Sequence, residues 1–437
     1  MTTTIDVSYI GPSPIHAGNS VGGGGSGGPW ATPASKNVAL IGDSLTTHLL
    51  GYNWNPFFWI NGLAGGVLRL IANAGVAGEQ IGNVNARVDN DYTDASPGLA
   101  GLPGLGFIFD QTGTNDARAA VPASSYSAAC DEYFPKLAAR ANLVHLYAIP
   151  PIGPGESSYQ AKNALTLEYN AVRAAYAAEH SENFVYVPTD TQLRAGDGSQ
   201  LPGFFQSDGI HNLGAATTQE GIDGFAALSS LFAGYGYPSP LSTDPTDVYP
   251  AHPQWFTNPT FAGTSGSTGT GFTGSVVTGL QVEANGGGIT GTCSIAAADV
   301  GDANQCSWQV ITPTQVSRTG AGESIRISSL LAGRAISAVD PAALDMMVEV
   351  RMTGFNSTYF GMLKLWVQGS TGDPLTADLD LKIGGGPITK TLTLRHMMPR
   401  PSARANTYAA LYIDLPIAAN HTGSMGNIAL RCISIRG

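Results

Sequence analysis

Ser44 closes an apolar run, VALIGDSL, and a serine in that position is a candidate nucleophile. The run reads as a buried strand, which would leave Ser44 at the carboxyl end of a parallel strand, where open α/β sheets place their ligands. Gly42 can take the tight turn that projects a hydroxyl at the rim, and Leu45 onward can begin a helix whose first N–H groups favour developing negative charge. The plain alternative is a strand-to-helix turn with a capping Ser or Asp. A serine hydroxyl also needs a base, and SDGIHN supplies Asp208 and His211, spaced to share one side of a helical turn or tight loop. The carboxylate would fix the imidazole tautomer and leave the other ring nitrogen to take the Ser44 proton, although an ordinary surface pair has the same spacing. Acyl transfer further needs donors where the tetrahedral oxygen forms. Gly78 in NAGVAGEQ can offer its backbone N–H with no Cβ in the way, and Asn115 in QTGTNDAR can offer an amide N–H from the side. With the Ser44 N–H they would make a three-donor oxyanion hole. Singly these are a loop glycine and a turn asparagine; together they all fall at strand exits in a workable order.

The elements that must position these residues are legible as alternating patterns. Between Lys36 and Tyr237 the runs NVALIGDS, VLRLIANAG, GFIFDQTG, LVHLYAIPP and NFVYVPTD read as short buried strands. Helical spacing of apolar residues marks SYSAACDEYFPKLAARA, YQAKNALTLEYNAVRAAYAAEH and QEGIDGFAALSSLFAGY. Strands separated by helices predict a parallel sheet covered on both faces. Residues 1–35 hold the tract GNSVGGGGSGG and read as a flexible lead-in, residues 36–237 as the α/β domain, and the Pro-rich residues 238–254 as a linker. From 255 to 437 nine or ten alternating runs without helices, among them SWQVITPTQV, LDMMVEVRMTGF and NIALRCISIR, predict an antiparallel β-sandwich of jelly-roll type.

Composition narrows the partners. Only 12% of the 437 residues are charged and 43% are hydrophobic, which speaks against disorder. The formal net charge is −11, with 21 of the 32 acidic residues but only nine of the 21 basic ones before residue 250, so nucleic acid is a poor partner. The longest apolar stretch, Gly62 to Gly78, is broken by Arg69 and glycines and cannot span a membrane. MTTTIDVSYIGPSP has neither a basic nor an apolar region, so no secretory signal is expected, and an extracellular or virion-associated setting would be reached by another route such as lysis. Of the four cysteines, Cys293 and Cys306 are close enough in sequence to staple a loop, with free buried thiols as the alternative, while Cys130 and Cys432 lie far apart.

Other residues that could carry chemistry have plainer readings. His48 follows Ser44 by one helical turn but has no acid to orient it, His145 sits mid-strand in LVHLY as a core residue, and His180 ends a helix. GNSVG at Gly18 to Gly22 fits a nucleophile elbow, and the neighbouring glycines fit G-x-G-x-x-G, yet neither follows a strand. Asp299, Asp302 and Asn304 could ligate calcium but lack EF-hand spacing, so no metal is expected. Asn356 and Asn420 lie in glycosylation sequons. The aromatic stretch with Trp54, Phe57, Phe58 and Trp59 would either wall an acyl pocket or pack on the sheet.

Taken together, IGDSL with Ser44, NAGVAG with Gly78, GTND with Asn115, and DGIH with Asp208 and His211 resemble the four sequence blocks of the SGNH, or GDSL, hydrolases, over about Lys36 to Tyr237. The resemblance implies a three-layer α/β/α flavodoxin-like fold, no cofactor, and an esterase, lipase, thioesterase or carbohydrate deacetylase activity. It implies Ser44 as nucleophile, Asp208 and His211 as the rest of the triad, Ser44, Gly78 and Asn115 as oxyanion donors, and Asp43 as structural. The expected substrate is an O-acetylated polysaccharide, with the sandwich holding the enzyme on the polymer; its alternative service is stability or homo-oligomer assembly. The rival readings are a lipase or general carboxylesterase acting on another ester, and a phage or surface adhesin with a vestigial hydrolase domain.

Overall fold

A computed structural model of the chain describes residues 33–47, 55–93, 97–233, 235, 258, 261–300, 306–320, 322–330, 343–360, 362–369, 379–399 and 409–436. The Gly-rich lead-in, the Pro-rich linker, His48, Trp54, Asp302 and Asn304 lie outside the described residues. The chain divides into two compact units, with the division falling between Gly236 and Tyr237 in sequence.

The first unit is built on five strands: β1 (Asn37–Gly42), β2 (Arg69–Gly75), β3 (Leu105–Gln111), β4 (Ala141–Tyr147) and β5 (Phe184–Val187). Each of the five buried apolar runs forms one of them. All pairings are parallel and the order is β2-β1-β3-β4-β5, the flavodoxin-like arrangement. The helices are α1 (Phe57–Leu63), α2 (Ile81–Arg87), α3 (Thr114–Arg118), α4 (Ala123–Ala138), α5 (Tyr159–Glu179) and α6 (Gly214–Phe232). β3 is buried along its whole length, as a central parallel strand must be when both faces are covered.

One local expectation changes on folding, and one open alternative is decided. No helix begins at Leu45; Thr46 and Thr47 both donate to the Asp43 carbonyl in one tight turn, and the first helix among the described residues, α1, starts at Phe57. The described residues of the aromatic stretch pack in the core, with Phe57 and Trp59 fully buried and Phe58 nearly so. Phe57 meets Phe109 of β3 edge-on at 5.3 Å. On α6 Gly221 and Gly224 clear the space for this helix: a Cβ at Gly221 would lie 2.1 Å from the Trp59 Cβ, and one at Gly224 would lie 2.6 Å from the Ile60 Cδ1. Burying side chains of this size stabilises by roughly 1.5–3 kcal/mol each, which explains why they serve packing.

The second unit contains two sheets. One joins β7 (Phe272–Gly274), β9 (Thr290–Ala296), β10 (Trp308–Val316), β12 (Ala343–Asn356), β15 (Pro387–Pro399), β17 (His421–Thr422) and β18 (Asn427–Arg436); the other joins β6 (Ser267–Thr268), β8 (Gln281–Asn285), β11 (Ser324–Leu330), β13 (Met362–Gly369), β14 (Leu379–Lys382) and β16 (Ala409–Pro416). Pairing is antiparallel except where the short strands β6 and β7 lie parallel to β8 and β9. The period-two alternation has its structural counterpart in β9, where Gly291 and Cys293 are buried while Thr290, Thr292 and Ser294 are exposed. Cys293 is a buried free thiol, its pKa pushed up to about 11 by burial, so the Cys293–Cys306 staple is not made.

Candidate active site

The parallel register brings three strand exits level. Gly42 stands opposite Gly75 on one side and Gln111 on the other, so β2, β1 and β3 end together, next to the point where the strand order reverses. Ser44, Gly78 and Asn115 follow those ends by a few residues each and share one edge of the sheet. Gly42 is required by its surroundings, because a Cβ there would lie 2.6 Å from the Gln111 carbonyl oxygen. Arg87 of α2 ties the exits together, donating to the Ala74 carbonyl at 2.8 Å and to the Glu79 carboxylate at 2.7 Å.

His211 reaches Ser44 across 167 positions of sequence, its Nε2 lying 3.0 Å from the Ser44 Oγ. Its Nδ1 lies 2.6 Å from the Asp208 Oδ2. The other Asp208 oxygen accepts from the Ile210 and His211 backbone N–H groups at 2.9 and 3.0 Å, so Asp and His occupy a tight loop. That loop is seated on the segment after β4: Gly153 N–H donates to the Gly209 carbonyl at 2.8 Å, and the Gln200 amide donates to the same oxygen at 2.8 Å. Burial raises the Asp208 pKa, but hydrogen bonds from the His211 ring and the two backbone N–H groups outweigh it, and the carboxyl is held below its ordinary range. An anionic Asp208 on Nδ1 keeps Nε2 available as a proton acceptor for Ser44.

Residues 40–212 match the model of the GDSL-like Lipase/Acylhydrolase family. This chain carries a GDSL-like acylhydrolase domain. The description of that family, lipase and acylhydrolase, implies hydrolysis of ester bonds by this domain. No curated protein matches the chain. Similar solved structures include a catalytic variant of an acetylxylan esterase from Geobacillus stearothermophilus, 15% identical over 46% of this chain and 95% of that one, with a TM-score of 0.35. A GDSL-like lipase from Bacteroides thetaiotaomicron is 18% identical over 46% of this chain and 91% of its own, with a TM-score of 0.33. A member of the lipolytic G-D-S-L family from Veillonella parvula is 16% identical over 44% of this chain and 98% of its own, with a TM-score of 0.32.

Around the acylhydrolase site, Gly78 has φ +82°, in the left-handed region, and a Cβ there would meet nothing within 4 Å. Among the described residues neither the Gly78 nor the Ser44 backbone N–H has a protein acceptor. The Asn115 amide donates to the Glu79 carbonyl at 3.0 Å, which leaves its second N–H. Asp43 is fully buried; one oxygen accepts from Leu45 N–H at 3.0 Å, the other has no partner, and burial pushes its pKa up to about 7. It caps the turn that carries Ser44, a structural place. His145 is buried against Phe107 and Phe109 with its pKa lowered to about 3 by burial, a core histidine. Asp299 pairs with Arg351 and accepts from Trp308 at 3.2 Å, so it is engaged within the β unit.

Residues outside the four blocks' best-known positions also hold the site. Asp116, beside Asn115, accepts from the Ile81 N–H at the start of α2 at 3.0 Å. Asp110 and Arg173 form a fully buried pair at 2.6 Å, joined by the Tyr133 hydroxyl at 2.9 Å, and so anchor the end of β3. Arg118 donates to the Asn115 Oδ1 at 3.2 Å. The i, i+3 spacing of Asn115 and Arg118 was a signal available in sequence; the other pairings have none.

Proposed function

We propose that the domain cleaves its ester through an acyl-enzyme on Ser44. The Ser44 oxygen attacks the carbonyl carbon while His211 Nε2 takes the hydroxyl proton, and Asp208 holds the imidazole through Nδ1 and stabilises its charged form. The tetrahedral oxygen is met by the Ser44 and Gly78 backbone N–H groups and the free Asn115 amide N–H. Collapse expels the alcohol, which receives the proton from His211; a water then repeats the sequence on the acyl-enzyme, releasing the acid. The observation that carries this reading is the continuous Asp208–His211–Ser44 line, with contacts of 2.6 and 3.0 Å. It also weighs against an adhesin with a decayed hydrolase.

For the substrate we infer an O-acetyl group on a polysaccharide. In favour of a short acyl group, Phe57, Phe58 and Trp59 are spent on the core, so they do not line a long acyl site. In favour of a polymer, a separate β unit follows the hydrolase domain, and a tethering unit raises local substrate concentration; assembly of copies of the chain is its alternative service. An extracellular or virion-associated setting would suit such a substrate. The experiment is a ladder of p-nitrophenyl esters, together with acetate release from a panel of acetylated polysaccharides. Rates should fall steeply beyond acetyl, with acetate appearing from one or more polymers; rates that hold or rise toward octanoyl would make the enzyme a lipase or general carboxylesterase.

A further inference from the structure

Asn115 and Arg118 are the second and last residues of α3, one helical turn apart. The Asn115 amide is clamped at both ends. Its nitrogen donates to the Glu79 carbonyl at 3.0 Å, and its oxygen accepts from the Arg118 Nη1 at 3.2 Å. The polarity of the two partners allows only one orientation of the amide, because a guanidinium can only donate and a carbonyl can only accept. A cation on the oxygen also draws charge from the amide and strengthens its N–H groups as donors, since hydrogen bonds to ionised groups are the stronger kind.

Arg118 is itself held. Its Nε and Nη2 donate to one oxygen of Glu156 at 3.0 and 2.7 Å, and Lys162 of α5 donates to the other at 2.8 Å. The hydrogen bond from Lys162, joined by that from Arg118, outweighs the opposing effect of burial and holds the Glu156 carboxyl below the usual range. Glu156 belongs to the segment that seats the Asp208–His211 loop: its N–H donates to the Gly153 carbonyl at 3.0 Å, and the Gly153 N–H donates to the Gly209 carbonyl at 2.8 Å. Two sites of chemistry, the amide on α3 and the acid–base loop, thus hang on one short stretch of chain through Arg118 and Glu156.

We propose that Arg118 is a positioning residue that fixes and polarises the Asn115 amide for the tetrahedral oxygen. This rests on Asn115 being an oxyanion donor. Because the amide acts when charge develops and not when the ester binds, loss of Arg118 should lower kcat and spare KM.

The test is a double-mutant cycle in the full chain with a neutral substrate, p-nitrophenyl acetate, so that no direct attraction between Arg118 and substrate enters. Arg118→Gln should lower kcat on the order of tenfold with KM within about twofold, and Arg118→Lys, which keeps the charge but lacks the fork that serves both partners, should fall between. In an Asn115→Ala background the Arg118→Gln change should shrink to less than about twofold. Thermal melting run on each variant separates these effects from loss of fold, and Arg118→Lys carries the cycle if the glutamine variant melts early. Asn115→Ala at full activity would remove the oxyanion reading itself. Asn115→Ala crippled, but with Arg118→Gln either harmless or equally costly in both backgrounds, would overturn the role of Arg118 and leave that reading standing.

Discussion

The two units use buried charge in opposite ways. In the β unit the paired groups lie on neighbouring strands: Arg326 of β11 stands opposite Asp414 of β16 in register and donates to both its oxygens at 2.8 and 2.9 Å. Arg431 of β18 likewise stands opposite Glu349 of β12 and pairs with it, stacking on Trp308 at 4.3 Å, while Arg351 of β12 stacks on the same ring at 3.9 Å and reaches Asp299 in the stretch after β9. Such pairs fix which strand lies beside which, and register is what a two-faced sheet most needs to specify. In the hydrolase unit the buried charges stand at strand ends and hold loops: Arg173 on Asp110, Arg87 on Glu79, Asp116 on the first N–H of α2. Where the backbone is already paired by a ladder, ion pairs reinforce it; where the chain leaves the ladder and must present reactive groups, they replace it.

That contrast can be broken or sharpened experimentally. The largest effect is expected from Ser44→Ala or His211→Ala, each of which should cost roughly 10⁴–10⁶ in kcat on a soluble ester with the melting temperature little changed, because both sit at a rim and not in a core. Kinetics against p-nitrophenyl acetate checks it, and substantial residual turnover in either variant would remove that residue from the line of proton transfer. Asp208→Asn should be milder, up to roughly 10⁴-fold, since the imidazole survives and loses only its orientation and the stabilisation of its cation; a variant worse than His211→Ala would reverse the assigned roles.

Stability comes next. Arg173→Leu leaves the buried Asp110 carboxyl without its cation and should cost about 3–5 kcal/mol by denaturant unfolding. Arg326→Leu, where the arginine side chain itself is 21% exposed, should cost less, about 1–3 kcal/mol. Equal costs would mean that the two kinds of pair are not different in kind.

The last effect is confined to a pH window. Asp43 titrates at about 7 in the fold against 3.8 in an open chain, so between those values the folded state binds more protons than the unfolded one. Its linkage makes stability fall as pH rises from about 4 to about 7 and level off above. The measurement is the difference between wild type and Asp43→Asn in denaturant unfolding at a series of pH values. The wild type should lose stability relative to the variant across that window, by an amount on the order of a few kcal/mol at most. A constant difference would mean that Asp43 is ionised throughout.

Much of this was readable before folding. Five buried runs became the five strands, because a strand covered on both faces must be apolar throughout, and the alternating runs became the two sheets of the second unit. The candidate residues were legible because their chemistry is local: a serine after a strand, and an aspartate that reaches a histidine three residues on. The aromatic run was not resolved, since hydrophobic periodicity says that Trp59 is buried somewhere but not whether a pocket or Gly221 receives it. The helix expected at Leu45 was lost to the turn around Asp43, where a buried carboxyl and two bonds to one carbonyl outcompete local propensity.

By itself, then, the sequence determined which segments are strands, which are helices, and which side chains could react, because period and neighbouring chemistry are properties of short stretches. Only the tertiary structure decided what those side chains touch. Ser44 and His211 are 167 residues apart, Asp110 and Arg173 63, Arg118 and Glu156 38. Each pairing depends on the strand order β2-β1-β3-β4-β5 and on which loop each edge exposes. An arginine reads the same in sequence whether it faces water, a carboxylate or the amide of Asn115; its partner is set by the packing that removes water from around it.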